Sequence, residues 1–261
     1  MINFQHVWAI VIRHWRLTFR GFDRIFNVFY WPLLNIVIWG ITSVWLQQQA
    51  KQPHIVAMIL TGLIFWQIVF RVNLETAKSL FEELINQNLV NLFSTPLTLY
   101  EWIVAIMILG FVNMILVMLC GITAVWLLYN FNMLVLGWSI IPFMFSLLIS
   151  GWFIGFFICG LLIYWGVKAQ DFIYTIGWTF APFSAIYYPL EVLPYWVQYI
   201  SKLLPMTYVF ESMRYTLKSG MIPLSQLFIS YSLNVLYLVG SLVFFKYMFE
   251  KSKEKGLSRL E

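Results

Sequence analysis

The sequence predicts an all-α integral membrane protein with six transmembrane helices. Apolar residues make up 61% of its 261 residues, charged residues make up only 10%, and the mean hydropathy is +0.80. A soluble protein needs about a quarter of its residues to be charged. This chain therefore cannot cover a water-exposed surface of its size, which excludes a soluble enzyme, a disordered protein and a free nucleic-acid-binding protein.

Long stretches without Asp, Glu, Lys or Arg define the predicted spans, because a membrane-crossing helix needs about 20 mostly apolar residues. These stretches cover residues 25–46, 55–70, 102–129, 133–167, 172–190 and 222–245. The helical pattern of the short second stretch continues past Arg71, and Pro142 marks the predicted start of the long fourth span. Gly151 and Gly155 form a small-xxx-small pair, with Cys159 one turn further on, which predicts close packing of two helices.

The Lys and Arg residues near the span ends set the predicted orientation, because cytoplasmic loops carry an excess of them. Six spans place both termini on one side, which collects twelve of the sixteen basic residues: Arg13, Arg16, Arg20, Arg24, Arg71, Lys78, Lys168, Lys246, Lys251, Lys253, Lys255 and Arg259. The other side holds Lys51, Lys202, Arg214 and Lys218. Both termini are therefore predicted to be cytoplasmic, and the net charge of +5 reflects this orientation.

Residues 1–24 form a predicted amphipathic helix in the headgroup layer of the membrane. At 100° per residue the basic side chains fall within about 80° of one another; they are His6, Arg13, Arg16, Arg20 and Arg24. The apolar side chains opposite them are Phe4, Val11, Trp15 and Phe22. Such a helix turns its basic face toward anionic lipid. Two roles stay open: an orientation anchor alone, or an anchor that also braces a cytoplasmic partner.

The long cytoplasmic connection, residues 71–100, begins as a helical extension of the second span. One predicted stripe is apolar and consists of Leu74, Ala77, Phe81 and Leu84, and the other consists of Arg71, Glu75, Lys78, Glu82 and Asn86. Glu82 and Glu83 are adjacent carboxylates that we expect to be solvated on this helix surface. Opposite charges one turn apart stabilise such an extension by about 0.2–0.5 kcal/mol per pair.

A short apolar helix, residues 89–93, follows in the same connection. Asn86, Gln87 and Asn88 weaken the preceding helix, and Ser94, Thr95 and Pro96 end the short one. An apolar helix outside the membrane needs something to cover it. We expect it to dock into a partner protein; the alternative is that it lies on the lipid surface or folds back onto its own bundle.

The outer connection, residues 182–220, is rich in proline. Its prolines are Pro182, Pro189, Pro194 and Pro205, and Pro223 follows. Two apolar stretches between them, residues 192–203 and 207–217, are too short to cross a membrane. We interpret them as a re-entrant helical hairpin shielded by protein, with an interfacial loop as the alternative. Glu211 and Arg214 are spaced to form an ion pair. We expect Glu211→Ala and Arg214→Ala each to impair function and a charge swap to restore it in part.

The uncharged spans lack the intramembrane ionisable groups that ion-coupled carriers use. No G-x-x-x-x-G-K-[ST] phosphate-binding loop occurs in the sequence, so any ATPase is expected on a separate chain. An integral membrane enzyme is the rival class, but His6, His14 and His54 are scattered over two sides of the membrane and no catalytic or metal-binding constellation is visible. A channel or a scaffold is a further alternative.

Two segments carry a family resemblance. The outer segment reads Pro-Phe-Ser from Pro182, Leu-Pro-Tyr-Trp from Leu193 and Leu-Pro-Met-Thr-Tyr from Leu204, followed by Glu211 and Arg214. The inner segment reads Leu-Phe-Ser-Thr-Pro-Leu from Leu92. Together they resemble the transmembrane permease subunit of type-2 ABC exporters (the ABC-2 family), over nearly the whole chain. This chain departs from the family's pattern at Val90 and Asn91, where the family commonly carries a Glu.

The resemblance implies a single ABC-2 transmembrane domain over residues 1–261 and a multi-pass location in a bacterial plasma membrane. Its parts would be an interface helix (1–24), spans one to five (25–181), a coupling segment (71–100), an outer hairpin (182–220), span six (221–247) and a cytoplasmic tail (248–261). The partners would be a nucleotide-binding ATPase subunit, which carries the ATP and Mg²⁺, a second permease copy that completes a homodimer, and membrane lipids. This chain itself would bind no cofactor or metal.

The same resemblance implies three groups of functional residues. The residues coupled to the ATPase would be Asn86, Gln87, Asn88, Leu92, Phe93, Thr95 and Pro96, and we expect a charge at Leu92 or Phe93 to uncouple ATP hydrolysis from transport. The outer gate would comprise Pro189, Pro194, Pro205, Glu211 and Arg214. The substrate pathway would be lined by Thr61, Phe65, Thr175 and Thr179.

The implied activity is export of an amphipathic substrate (a drug, lipid or lipo-oligosaccharide) by alternating access. Aromatic residues make up 20% of the chain and suit such a substrate, although aromatic belts at the membrane surfaces account for many of them. The alternatives are a polysaccharide export channel of the same family or, as a different class, an integral membrane enzyme.

Overall fold

The computed structural model describes residues 3–20, 22–50 and 55–254, and of residues 17–20, 22–25, 27–29 and 50 it describes the backbone alone. Over these ranges the chain is an all-α bundle without strands. Its helices are α1 (Phe4–Arg20), α2 (Phe22–Ala50), α3 (Ile55–Ile85), α4 (Leu89–Ser94), α5 (Leu99–Tyr129), α6 (Ile140–Trp165), α7 (Asp171–Phe180), α8 (Tyr195–Leu203), α9 (Pro205–Ser219) and α10 (Leu224–Glu254). Short 3₁₀ segments cover Met133–Ser139, Gly166–Ala169 and Leu190–Val192.

Four helical segments in the described ranges are long and apolar enough to cross a membrane: α3, α5, the segment Met133–Ala169 that contains α6, and α10. They contain the predicted stretches 55–70, 102–129 and 133–167, and all but the first two residues of the stretch 222–245. The predicted first span, 25–46, lies within α2, a helix of 29 residues with Pro32 inside it. α2 is not among the four, so the structure supports an all-α protein with four candidate spans.

The prediction of one continuous span over residues 172–190 was wrong. Helix α7 has only 10 residues and is about 15 Å long, half of the roughly 30 Å hydrocarbon core. Pro182, which has no N–H to continue the helical hydrogen bonds, follows shortly after its end. Ala185 then adopts a φ of +53°, which no right-handed helix contains. The chain therefore turns at this point.

Helix α3 is the centre of the bundle and contacts α2, α5, α6, α7 and α9. Its tightest neighbour is α6, because Gly151 faces Val72 and Gly155 faces Thr76 with no room for a side chain between them. Cys159, one turn further on, is buried against the same helix, with its Sγ 3.5 Å from the carbonyl oxygen of Thr76. The predicted packing role of this small-residue face is confirmed.

A buried polar network joins α6 to α10, which no sequence pattern predicted. The Asn234 amide donates to the carbonyl oxygen and the hydroxyl of Ser146, both at 2.9 Å. Its Oδ1 accepts from the Ser150 hydroxyl at 2.8 Å. Ser230 lies 2.8 Å from the Ser146 hydroxyl and donates to the carbonyl oxygen of Pro205 at 2.7 Å, which brings in the start of α9. Interhelical hydrogen bonds of this kind add directional contacts to an otherwise apolar interface.

The close contact between α3 and α6 predicts the effect of one added methyl group. A Cβ at Gly155 would lie 2.5 Å from the Cβ of Thr76, so Gly155→Ala must push the two helices apart. We expect it to lower the free energy of unfolding by about 1–3 kcal/mol. Gly240→Ala in α10 is the control, because nothing lies within 4 Å of the added Cβ there and alanine favours a helix over glycine. SDS-titration unfolding of both variants tests the interface, and equal effects would contradict it.

Candidate functional site

Helix α1 is packed against the protein itself. Val7, Ile10 and Val11 are buried, and α1 contacts α5 and α2. His14 is buried as well, whereas Phe4 is 77% exposed and Trp8 is also exposed. The amphipathic helix is therefore present, but one face of it covers the end of the bundle and a second apolar face remains exposed.

The Glu83 carboxylate joins α1 to the end of α3. Its Oε1 and Oε2 lie 2.8 and 2.9 Å from Nη2 of Arg13. The Asn88 side chain donates to Oε2 at 2.6 Å, and Nε2 of His14 lies 3.8 Å from Oε1. Glu83 is only 1% exposed. A buried carboxylate requires such partners, so this cluster fixes three chain segments to one another.

A second buried carboxylate, Glu101, fixes the start of α1 to the start of α5. Its Oε1 accepts from the backbone N–H of Asn3 at 2.8 Å, and its Oε2 lies 3.2 Å from Nδ1 of His6. The same Oε2 accepts from the backbone N–H of Thr98 at 2.9 Å, while the Thr98 hydroxyl accepts from the N–H of Glu101. This is a capping box that begins α5.

Two sequence interpretations are corrected here. Glu83 was expected to be solvated, but it is buried because α1 covers this side of α3. His6 and Arg13 were expected to face anionic lipid, but both contact carboxylates of the protein. The Thr-x-x-Glu spacing of Thr98 and Glu101 is a sequence signal for a helix start, whereas the pairing of residues 13 and 83 requires the tertiary fold.

The short apolar helix exists as predicted, since α3 ends at Ile85, Gln87 has a φ of +51° and α4 follows. Its apolar side is not displayed. Leu89 and Leu92 are buried, and the Phe93 ring packs edge-on against Phe249 of α10 with centroids 4.7 Å apart. For these three side chains the second expectation is correct: α4 folds back onto its own bundle. A charge at Phe93 would first disturb this packing, so it is a poor test of coupling.

The other side of α4 borders an open cleft of about 890 Å³. One wall comes from α1 and the other from α4 and the preceding connection; the lining residues are Ala9, Ile12, Arg13, Arg16, Asn86, Asn88, Asn91, Leu92 and Thr95. Four of the predicted coupling residues are exposed: Asn86, Gln87, Thr95 and Pro96. Asn88 is half-buried, and Leu92 is buried. We call this the α1–α4 surface. It is basic and amide-rich.

The outer segment forms two short helices, α8 and α9, as its two apolar stretches predicted. Pro194 and Pro205 stand at their first turns and Pro189 precedes the 3₁₀ segment, positions that suit proline's fixed φ. α8 exposes Tyr195, Trp196 and Tyr199. In α9, by contrast, Met206, Val209, Phe210 and Met213 are fully buried.

The predicted pair of Glu211 and Arg214 is present, with Nη1 2.8 Å from Oε1. Arg214 Nη2 also donates to the carbonyl oxygens of Ala185, Ile186 and Tyr188, and Glu211 accepts from the N–H of Leu190 at 2.8 Å. Burial lowers the pKa of Arg214, which the Glu211 carboxylate opposes. The pair thus fixes the turn after α7 onto α9, a role that the spacing alone did not indicate.

The four predicted pathway residues do not meet in one cavity. Thr61 and Phe65 are fully buried, and the Phe65 ring packs against Phe143. Thr175 and Thr179 are exposed, and the hydroxyl of Thr179 donates to the carbonyl oxygen of Thr175 within the helix. Their role in a pathway stays a prediction.

A cavity of about 370 Å³ lies between α2, α3 and α7. It is lined by Trp31, Asn35, Trp66, Gln67, Phe70, Arg71, Leu74, Lys78, Tyr174 and Trp178. Helices α3 and α7, which carry the four predicted pathway residues, therefore do line a cavity, but with other residues than those four. We call it the aromatic–basic cavity.

Comparison with known proteins identifies no relative: no protein-family model matches this chain, and no curated protein matches it. Within the described residues, no group of three or more His, Cys, Asp and Glu side chains is arranged to bind a metal ion.

The contacts of Glu83 predict that its substitution destabilises the protein more than substitution of the neighbouring Glu82. Glu83→Gln removes the charge opposite Arg13, so we expect the free energy of unfolding to fall by about 2 kcal/mol and α1 to become sensitive to protease. Glu82→Gln is the matched control, because Glu82 lies on the less buried side of α3. SDS-titration unfolding and limited proteolysis measure both effects. Equal behaviour of the two variants would show that Glu83 does not fix α1.

The hydrogen bonds of Arg214 predict that Glu211 and Arg214 cannot exchange positions. Arg214→Ala removes the donor of three carbonyl oxygens and leaves Glu211 with only the N–H of Leu190. We therefore expect a loss of about 3 kcal/mol in the free energy of unfolding. The double variant Glu211→Arg/Arg214→Glu should not recover stability, because it places a carboxylate against those carbonyl oxygens. This replaces the expectation from spacing alone. Recovery to the wild-type unfolding midpoint would contradict the observed hydrogen bonds.

Proposed function

We propose that this chain is the membrane permease subunit of an ATP-driven type-2 ABC exporter and moves an amphipathic substrate out of the cytoplasm or inner leaflet. In this proposal the chain crosses the membrane six times: through the four candidate spans, through α2, and through a discontinuous crossing made of α7 and the residues after its turn. Both termini lie in the cytoplasm of a bacterium. α8 and α9 form the outer re-entrant hairpin, and two copies assemble with two ATPase subunits.

The observation that carries the proposal is the α1–α4 surface. A short helix between two candidate spans packs against α10 through Phe93, and Asn88 just before it is joined to α1 through Glu83. Its other side borders a cleft outside the long helices. A rigid projection of this kind suits transmission of force from a partner. Because α4 follows α3 directly and Glu83 of α3 binds both Arg13 and Asn88, a push on α4 would reach α3.

Three further features support the proposal. The sequence contains no phosphate-binding loop of its own, so the energy would come from a partner ATPase. The aromatic–basic cavity offers a place for an amphipathic molecule between the predicted pathway helices. Arg214 and Glu211 fix the outer turn, which would let α9 and the turn move together as a gate.

The residues that would contact the ATPase are the exposed ones of the α1–α4 surface, together with Val90, which lies on α4 next to Asn91. Val90 is 40% exposed on α4, and Asn91 lines the cleft. These two positions are also where the chain departs from the family's pattern. The docking contact here would therefore use amide and apolar groups, with Arg13 and Arg16 supplying the charge.

Retention of the ATPase tests the proposal. We expect the wild-type chain, purified from its native membrane in mild detergent, to carry ATP hydrolysis that is absent when the chain is produced alone in a heterologous host. Val90→Asp should reduce the retained hydrolysis at least about tenfold, because it buries a charge in the contact. Val192→Asp is the matched control, since Val192 is 72% exposed on the outer segment.

Two results would contradict the proposal. The first is hydrolysis that Val90→Asp and Val192→Asp change equally, which would place the ATPase contact elsewhere. The second is wild-type material from native membranes with no hydrolysis above that of the chain produced alone.

A further inference from the structure

The aromatic–basic cavity brings two basic side chains of α3 together with a wall of aromatic rings. Arg71 and Lys78 are seven residues apart, so both project to the same side of the helix two turns apart. Trp31, Phe70 and Trp178 supply apolar wall, with the Phe70 and Trp178 rings 5.1 Å apart. The cavity's volume of about 370 Å³ falls within the usual range of ligand sites, which is about 300–1,000 Å³.

The charges on this wall have one sign. Neither Asp nor Glu is among the described residues that line the cavity. Glu75 interacts electrostatically with Arg71 from one turn further along α3, but it does not line the cavity. Lys78 Nζ lies 5.4 Å from the centroid of the Tyr174 ring, which positions the ammonium group at the cavity edge.

We propose that this cavity binds the anionic headgroup of an amphipathic molecule, a phosphate in the first instance, with Arg71 and Lys78 contacting the charge. The surrounding rings cover the adjoining part of the apolar chain. The Asn35 and Gln67 amides add polar groups to the wall, beside the headgroup. The transport role of this site rests on the proposed function, whereas binding itself does not.

The same lining disfavours the other ligand classes. An aromatic wall alone would suit an organic cation, but Arg71 and Lys78 would repel it. A purely apolar ligand would leave both cations without new partners. A small free anion would gain nothing from the rings. An anionic amphipath uses both halves of the wall, because a guanidinium binds phosphate through its planar fork while an ammonium acts as a point charge.

Direct binding of dodecyl phosphate tests the proposal without an ATPase. The purified chain in nanodiscs of phosphatidylcholine is titrated with radiolabelled dodecyl phosphate, and unlabelled competitors are inorganic phosphate, dodecyl maltoside and dodecyltrimethylammonium. We expect saturable binding that only unlabelled dodecyl phosphate displaces efficiently. Arg71→Gln should weaken binding about tenfold or more and Lys78→Gln about threefold to tenfold. Arg71→Lys should retain most of it.

Lys202→Gln is the matched control. Lys202 also lies over a tyrosine ring, Tyr199, at 5.9 Å, but on α8 outside the cavity, so its substitution should leave binding unchanged. Helix content by circular dichroism identifies a variant that has not folded. If Arg71→Gln does not fold, Lys78→Gln and Arg71→Lys decide the test.

Three results would overturn the proposal. The first is displacement of the probe by dodecyl maltoside or dodecyltrimethylammonium as efficient as by dodecyl phosphate, which would remove the role of the cations. The second is equal competition by inorganic phosphate, which would identify a site for a free anion. The third is equal binding by the Lys78→Gln and Lys202→Gln variants. Because no partner is present, each of these results is independent of whether Val90→Asp releases an ATPase.

Discussion

Burial of two carboxylates at one end of the bundle is the constraint on which the rest of the arrangement depends. Glu83 and Glu101 lie where water does not reach them, so each must have partners inside the protein. Arg13 and His6 of α1 provide these partners. If α1 left the bundle, Glu83 would keep only Asn88 as a donor and Glu101 would keep only the backbone N–H of Thr98. A helix that resembles a membrane-surface anchor is therefore a structural part of the α1–α4 surface.

Helix α3 links this surface to the interior. The same helix carries Arg71 at the aromatic–basic cavity, Val72 and Thr76 against the glycines of α6, and Glu83 at the contact with α1. Close packing against Gly151 and Gly155 leaves α3 little freedom to bend locally. A displacement of α4 would therefore be passed along α3 as a movement of the whole helix, which would change the width of the cavity between α2, α3 and α7.

Much of the fold could be predicted from the sequence because apolar length and proline placement act locally. The four candidate spans, α4, the two short outer helices and the pair of Glu211 and Arg214 all follow from such patterns. The errors have tertiary causes: α7 stops because the chain turns at Ala185, and Glu83 is buried because α1, seventy residues earlier, covers it. The cavity was not predicted, for a related reason. The spacing of the predicted pathway residues selected the helices α3 and α7, but it could not show which faces of these helices border a cavity. In the sequence, Arg71 only marks the end of an uncharged stretch. Nothing in the sequence indicates that it shares a cavity with aromatic rings of α2 and α7.

The most direct test of the account is whether α1 and α4 form one rigid unit. Spin labels attached through unnatural amino acids at Gln5 and Asn91, both exposed, allow their separation to be measured by double electron–electron resonance in nanodiscs. The account predicts one narrow distance distribution, as for two sites on a single packed domain. A broad or two-peaked distribution in the intact chain would show that the buried carboxylates do not fix α1, and that α4 has no rigid support from which to transmit work.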